Sequence, residues 1–87
     1  KINSAYPNPF NPSININFSV KNTSSVRVSV LDVSGRKVQD LYEGVVSSGK
    51  HNVIWEPNHA VSSGIYFVNL EVLNQGLATT KQITFLK

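Results

Sequence analysis

Near the N-terminus the chain reads Tyr6-Pro7-Asn8-Pro9-Phe10-Asn11-Pro12. Each proline fixes φ and lacks the N–H that a helix or a sheet ladder requires, and the residue before a proline is driven toward extended geometry. The stretch therefore excludes a helix and a central strand. We expect a stiff, extended edge strand over residues 6–10, with Phe10 in the core and the prolines blocking further strand pairing.

After the prolines, apolar and polar side chains alternate with the period of two that strands require. Residues 14–20 and 26–30 keep this period, whereas residues 37–46 do not, which predicts a bulge or an edge strand there. Further strands are predicted at 51–56, 65–73 and 77–86, and Asn74-Gln75-Gly76 forms the last hairpin turn. Residues 65–73 carry apolar side chains on both faces at their start, which indicates a central strand.

Seven short strands with turn residues every 8 to 12 positions or so predict an all-β, antiparallel sandwich of the immunoglobulin or fibronectin type III kind. A small barrel is the competing topology. Trp55, on an apolar face, is expected to fill the space between the sheets rather than to stack on a ligand. Tyr66 stands where a tyrosine corner would lie, with its hydroxyl bonded to nearby backbone.

Composition limits the possible functions. The 87 residues make one domain, too short to enclose a wide cavity for a small-molecule substrate. The net charge of +3 is dispersed and only Arg36 and Lys37 are adjacent, so nothing favours nucleic-acid binding. The absence of cysteine excludes disulfides and thiolate chemistry.

The start of the chain predicts that it is a piece of a longer polypeptide. The sequence begins at Lys1 and contains no methionine. It shows neither an apolar run long enough to span a membrane nor a signal peptide, so any N-terminal targeting signal would lie upstream.

No catalytic or metal-binding pattern emerges. The five acidic residues form no spacing typical of a dyad, the serines lie in no nucleophile elbow, and the glycines form no phosphate loop. Two histidines are too few for a metal site. His51 is interpreted as a partly buried structural residue beside Val53 and Trp55, and His59 as an exposed loop residue. We expect no enzyme, cofactor or metal in this part of the polypeptide.

Five strings, in order along the chain, carry a resemblance to a known family. They are residues 6–18, residues 31–38 (similar to YDxxGRxV, with Leu31 in place of the usual aromatic), residues 49–55 (similar to GxyxvxW, with His51 at an often aromatic position), residues 61–70 (similar to LxSGxYxxxL) and the terminal strand 81–87. Together they resemble the type A C-terminal sorting domain carried by cargo of the type IX secretion system, found in Bacteroidetes.

The resemblance implies a removable address label at the end of an exported enzyme or adhesin. Cargo of this kind crosses the periplasm, an outer-membrane translocon recognises the label, and a sortase-like cysteine endopeptidase usually removes it at the cell surface. Residues 1–87 would then be the sorting domain, with residues 1–5 the remnant of a linker from an upstream cargo domain.

Within this resemblance, two sets of residues are expected to act differently. Translocon recognition is assigned, as a hypothesis, to the terminal strand through Lys81, Ile83, Phe85 and Lys87, by strand addition at a sheet edge. The opposing interpretation is that Ile83 and Phe85 complete the core while the lysines protect an edge from aggregation. The motif residues expected to act mainly in the fold are Pro7, Asn8, Pro9, Phe10, Asn11, Pro12, Asp32, Gly35, Arg36, Trp55, Gly64, Tyr66 and Leu70.

Two of these motif residues belong to the turn after residue 31. Gly35 is expected to supply a positive φ. Arg36 is expected to bind turn carbonyls or to pair with Asp32.

Two other functions remain open at this point. The same motifs are similar to the immunoglobulin-like domain of flagellar hook-capping proteins, a structural role that His51 fits. A carbohydrate-binding or spacer module of a secreted hydrolase is the third interpretation. Sugar binding usually needs a row of exposed aromatic residues, and only Tyr42 and Phe67 are expected to be exposed.

Overall fold

The computed structural model describes residues 1–87 as seven β-strands. They are β1 (Ile2–Tyr6), β2 (Ile14–Val20), β3 (Ser24–Leu31), β4 (Lys37–Val46), β5 (Gly49–Trp55), β6 (Gly64–Val72) and β7 (Leu77–Phe85). The structure contains no helix long and apolar enough to cross a membrane.

The strands form two separate antiparallel sheets. The smaller sheet has the order β1-β2-β5 and the larger has the order β4-β3-β6-β7. Seventeen buried hydrophobic residues form one core between them. The predicted immunoglobulin-like sandwich is therefore confirmed, and the two distinct sheets rule out the small barrel.

Period-two alternation explains how the core forms. In β2 the side chains of Ile14, Ile16, Phe18 and Val20 are buried while those between them are not. In β6 every second residue from Tyr66 to Val72 is buried. Strand β6 lies between β3 and β7, as predicted for a central strand.

The first strand lies earlier than the sequence predicts. We expected it at residues 6–10, but β1 spans Ile2–Tyr6 and pairs with β2, with Ala5 turned into the core. The physical reason is the missing N–H of Pro7 and Pro9, which prevents a continuous ladder, whereas residues 2–6 contain no proline. Beyond Tyr6, only Phe10 makes a strand-like contact, an isolated parallel bridge to Phe85.

This placement gives residues 1–5 a part in the fold, since residues 2–5 supply most of β1. Their proposed origin as a linker from a cargo domain stays a prediction.

The edge strand β4 confirms the prediction made from its irregular pattern. It pairs only with β3, and its register shifts between Val28 and Ser29 and again between Val30 and Leu31. Such irregularities twist an edge strand and discourage pairing with another chain.

The N-terminal and C-terminal parts of β7 differ in how far their side chains are exposed. Its C-terminal residues Ile83 and Phe85 are 0% and 4% exposed, but all six residues from Leu77 to Gln82 are exposed. The smaller sheet therefore covers β7 only near its C-terminal end.

Candidate functional site

The motif-bearing loops meet at one end of the sandwich. The registers place the start of β2 beside the end of β5, the end of β3 beside the start of β4, and the start of β6 beside the end of β7. We call this the motif end; it comprises residues 7–12, 32–36, 58–64 and 86–87. The β2–β3, β4–β5 and β6–β7 turns lie at the opposite end.

Four aromatic side chains fill the core at the motif end. Phe10 lies 5.1 Å from Phe85 and 5.6 Å from Trp55, measured between ring centroids, and Trp55 lies 5.6 Å from Tyr66 in an edge-on arrangement. The indole N–H of Trp55 donates to Gln39 Oε1 at 3.2 Å. The prediction that Trp55 fills the space between the sheets is confirmed, as is the burial of Phe10.

Residues 7–12, which we call the proline segment, cover the outer edge of β7 near its C-terminal end. The Phe10 amide donates to the Thr84 carbonyl at 3.0 Å, and the Leu86 amide donates to the Phe10 carbonyl at 3.1 Å. Between the prolines, the Asn8 side chain accepts from the Thr84 amide at 2.9 Å and donates to the Gln82 carbonyl at 3.3 Å. These four bonds occupy the Gln82 carbonyl, both backbone groups of Thr84 and the Leu86 amide, all of which point away from the sheet.

This role of Asn8 was missed from the sequence. An asparagine amide has both a donor and an acceptor, so it can replace a peptide group where the flanking prolines cannot donate. An asparagine between two prolines, as in Pro7-Asn8-Pro9, is the sequence feature that could have predicted this role. Asn11 and Pro12, by contrast, are exposed.

Tyr66 forms the predicted tyrosine corner. Its hydroxyl donates to the Ser62 carbonyl at 2.7 Å, and the residue is 8% exposed. This bond holds the loop before β6 against the sandwich, so Tyr66 has a structural role. Leu70, on the same face of β6, is 1% exposed and belongs to the core.

The turn from Asp32 to Arg36 is organised around one carboxylate. Asp32 Oδ1 accepts from the Ser34 amide at 2.9 Å, the Ser34 hydroxyl at 2.7 Å and the Arg36 amide at 3.0 Å, while Oδ2 lies 3.3 Å from Arg36 Nε. The hydroxyl of Ser34, followed by the amide of Arg36, lowers the pKa of Asp32. Gly35 has a φ of 89°, which confirms its expected positive value, and the Asp32–Arg36 pair is also confirmed.

A second charged group lies on the outer face of the larger sheet. Arg27 Nε lies 3.1 Å from Glu43, and Arg27 Nη1 lies 3.6 Å from Glu71. The hydrogen bond to Glu43 raises the pKa of Arg27 above its usual value. The three side chains link β4, β3 and β6 across the sheet.

The four residues assigned to recognition occupy different environments. Ile83 and Phe85 are buried in the core. Lys87 is exposed, but its ammonium donates to the His59 carbonyl at 2.7 Å and its amide to Ser63 Oγ at 2.8 Å. Lys81 is exposed and makes no hydrogen bond or ion pair. Of the four, only Lys81 has its whole charged head available to another molecule.

Two open clefts lie at opposite ends of the domain. One, of about 420 Å³, lies at the motif end between the Asp32 turn and the Ser62–Tyr66 segment, with Val33, Val38 and Ile65 in its lining. The other, of about 430 Å³, lies between the end of β2 and the start of β7.

Both histidines lie in the predicted environments, but the exposed aromatic residues differ from the prediction. His51 is half-buried, packs on Phe18 and bonds the Ser47 carbonyl through Nε2 at 2.7 Å, and His59 is exposed, both as predicted. The expectation for aromatics was partly wrong: Tyr42 is exposed, but Phe67 is half-buried and Tyr6 is 74% exposed. No group of three or more histidine, cysteine or acidic side chains converges on a point.

Comparison with known proteins gives one family and one structure. Residues 4–85 match the model of a family described as the secretion system C-terminal sorting domain. The domain is also similar to part of a solved structure of PorZ, described as an essential bacterial surface component of the type IX secretion system of Porphyromonas gingivalis, with 19% identity and a TM-score of 0.65. The alignment covers 99% of this chain and 11% of that one, and at this identity it shows the fold alone. No curated protein matches the chain.

Proposed function

The chain belongs to the family of C-terminal sorting domains of the type IX secretion system, and we propose that it is the removable address label of a larger exported protein. The family match spans residues 4–85 and therefore includes the last three residues of β1 and all of β2 to β7, and this observation carries the proposal. The cargo lies upstream of the label. The flagellar and carbohydrate-binding alternatives receive no support from the comparisons.

Membership in this family connects the domain with the secretion machinery and with export to the cell surface or beyond it. We propose the finer steps as follows. The cargo passes through the periplasm, the outer-membrane translocon binds the folded label, and a sortase-like cysteine endopeptidase separates label from cargo. The label itself performs no catalysis, so any enzymatic activity resides in the cargo.

The hydrogen bonds of the motif end support a folded label. Phe10, Asp32 and Tyr66 are held by core packing or by bonds within the domain. They would contribute to recognition by maintaining the shape of the domain. The exposed ammonium of Lys81 would contribute by direct contact.

The proposed function is tested by fusing residues 1–87 behind a periplasmic reporter enzyme in a type IX-competent host. We expect the reporter in the medium or on the cell surface, with retention in the periplasm when the domain is omitted or when the host lacks its translocon. Equal export with and without the domain would overturn the proposal.

Deleting residues 81–87 would be a poor test of recognition. That deletion removes Ile83 and Phe85 from the core and the partners of Asn8 and Phe10 from the edge of β7. A loss of secretion would then report unfolding. Single substitutions at exposed positions separate recognition from folding.

A further inference from the structure

The outer edge of β7 is divided into a covered part and an open part. Thr84 directs its N–H and C=O to the proline segment. Strands β6 and β7 pair without a register shift from Gly64 to Val72, so alternate residues of β7 point the same way. The backbone groups of Ala78 and Thr80, and the N–H of Gln82, therefore also point away from the sheet, beyond the reach of the proline segment.

The core-facing side of the same segment is uncovered. Leu77, Thr79 and Lys81 lie opposite Val72, Leu70 and Val68, whose side chains face the core. Yet Leu77 is 57% exposed, and Thr79 and Lys81 are exposed as well. Leu77 and Thr79 line the cleft of about 430 Å³ between β2 and β7. An added strand would find both open backbone groups and space for inward side chains.

The charge around this opening is positive. The cleft lining includes Lys1 and Lys21 and no acidic residue, and Lys81 lies next along β7. The nearest acidic residue along the pair of strands, Glu71, is on the outer face and is paired with Arg27. A carboxylate on an incoming segment would thus be attracted without an opposing charge.

From these observations we propose that residues 78–82 of β7 are the site at which an extended segment of the secretion machinery adds to the larger sheet as its fifth strand. The segment carries an apolar side chain that enters the cleft beside Leu77 and a carboxylate that faces Lys81. The identity of the partner rests on the proposed function.

Two features favour this edge and this occupant. The edges at β1 and β4 are interrupted by register shifts, which discourage strand addition, while β7 is regular. The edge at β5 is regular too, but its core-facing side chains His51, Val53 and Trp55 are half-buried or buried, so β5 lacks the open space found beside β7. A second copy of the domain pairing through β7 would bring the lysines of both copies together, and like charges disfavour that arrangement.

The first test removes one backbone donor. Thr80→Pro deletes an N–H that has no partner within the domain, and proline is tolerated at such an edge position. It also removes the exposed Thr80 hydroxyl, which donates to Asn69 Oδ1 at 3.3 Å. The matched control is Val45→Pro. Val45 of β4 lies opposite Ser25 of β3, and the Ser25 carbonyl accepts from the Leu73 amide on the side of β3 that faces away from β4. Since Ser25 and Val45 therefore do not bond each other, the N–H of Val45 also points away from the sheet. In the reporter fusion, we expect Thr80→Pro to lower the secreted fraction about tenfold, the effect of losing one hydrogen bond with a steric clash. Val45→Pro should secrete normally.

The second test changes charge without touching the backbone. Lys81→Glu should lower secretion several-fold, while Lys81→Arg should preserve it. Lys50→Glu makes the same charge change at an exposed position on β5 and should have no effect. Thermal unfolding of each purified domain checks that the variants fold.

Different experimental outcomes would overturn the proposed binding site on β7 and the proposed sorting function. Normal secretion of folded Thr80→Pro, or equal losses in Thr80→Pro and Val45→Pro, would overturn the site while the sorting function stands. A wild-type dimer that Thr80→Pro disrupts, with secretion unchanged, would overturn it in favour of self-association. Failure of the wild-type fusion itself would instead overturn the proposed function.

Discussion

The side chain of Asn8 accepts a hydrogen bond from the backbone amide of Thr84, 76 positions later, at 2.9 Å. The same side chain donates to the Gln82 carbonyl at 3.3 Å. One side-chain amide thus makes the two hydrogen bonds to β7 that the backbone of a neighbouring strand would otherwise make. The proline segment that cannot form a ladder thus still closes the edge beside it. The first and last segments of the domain are joined through this contact and through Phe10.

We expect Asn8→Ala to destabilise the domain and to open the edge of β7. Two modest hydrogen bonds are lost, which predicts about 1 to 2 kcal/mol and, at this chain length, a fall in Tm of about 4 to 8 °C per kcal/mol. The opened edge should also promote concentration-dependent association, which sedimentation velocity detects. Thermal unfolding measures the loss of stability.

The matched control is Asn11→Ala. Asn11 lies in the same segment, also precedes a proline, and its side chain is exposed and makes no hydrogen bond. If both variants unfold at the same temperature, the edge-closing role of Asn8 is wrong.

The alternating pattern predicted five of the seven strands because a half-buried strand must place an apolar residue at every second position, and the break in that pattern over residues 37–46 indicated a sixth. It also predicted the central position of β6 and the irregular edge of β4. It failed at β1, where Ile2–Tyr6 contains only one buried residue, Ala5, and so carries little periodic signal. The prolines of the adjacent segment indicated an edge strand at residues 6–10 instead.

The local chemistry of the motif end was also partly predictable. The Tyr66 corner, the positive φ of Gly35 and the Asp32–Arg36 pair depend on short sequence distances and were expected. The contact of Asn8 with β7 depends on tertiary register. The exposure of residues 77–82 was unpredicted because it depends on how far the smaller sheet extends over the larger one.

Tyr66→Phe should cost about 1 kcal/mol. It removes only the hydroxyl that donates to the Ser62 carbonyl, while the ring keeps its contact with Trp55. Urea unfolding should show a lower midpoint with an unchanged m-value. Tyr42→Phe is the control, because the Tyr42 side chain is exposed and its hydroxyl makes no hydrogen bond. Equal midpoints for the two variants would contradict a structural role for the corner.

Phe10→Ala should destabilise the domain far more than the loss of a hydrogen bond. Phe10 is 2% exposed and contacts both Trp55 and Phe85, and removing a buried phenylalanine side chain typically costs about 3 to 5 kcal/mol. That is a large part of the roughly 5 to 15 kcal/mol available to a small domain. Urea unfolding followed by Trp55 fluorescence measures this loss in the free energy of unfolding.

Phe10→Leu, which keeps most of the apolar volume, provides the comparison and should cost clearly less. A loss below about 1 kcal/mol for Phe10→Ala would mean that the proline segment is not anchored in the core.

The last prediction concerns pH. Hydrogen bonds from Ser34 and Arg36 lower the pKa of Asp32 in the folded domain, so its charged form stabilises the fold above the pKa of the unfolded chain. This contribution is fully present above about pH 4 and is lost as the pH falls through the lower pKa of the folded state. Asp32→Asn keeps an acceptor oxygen in the turn but cannot titrate. We therefore expect the Tm difference between wild type and Asp32→Asn to be largest near neutral pH and to shrink between about pH 4 and pH 2.

Glu56→Gln is the control, because Glu56 is exposed and its side chain makes no hydrogen bond or ion pair. A Tm difference for Asp32→Asn that stays constant down to pH 2 would show that the Asp32 carboxylate does not stabilise the turn.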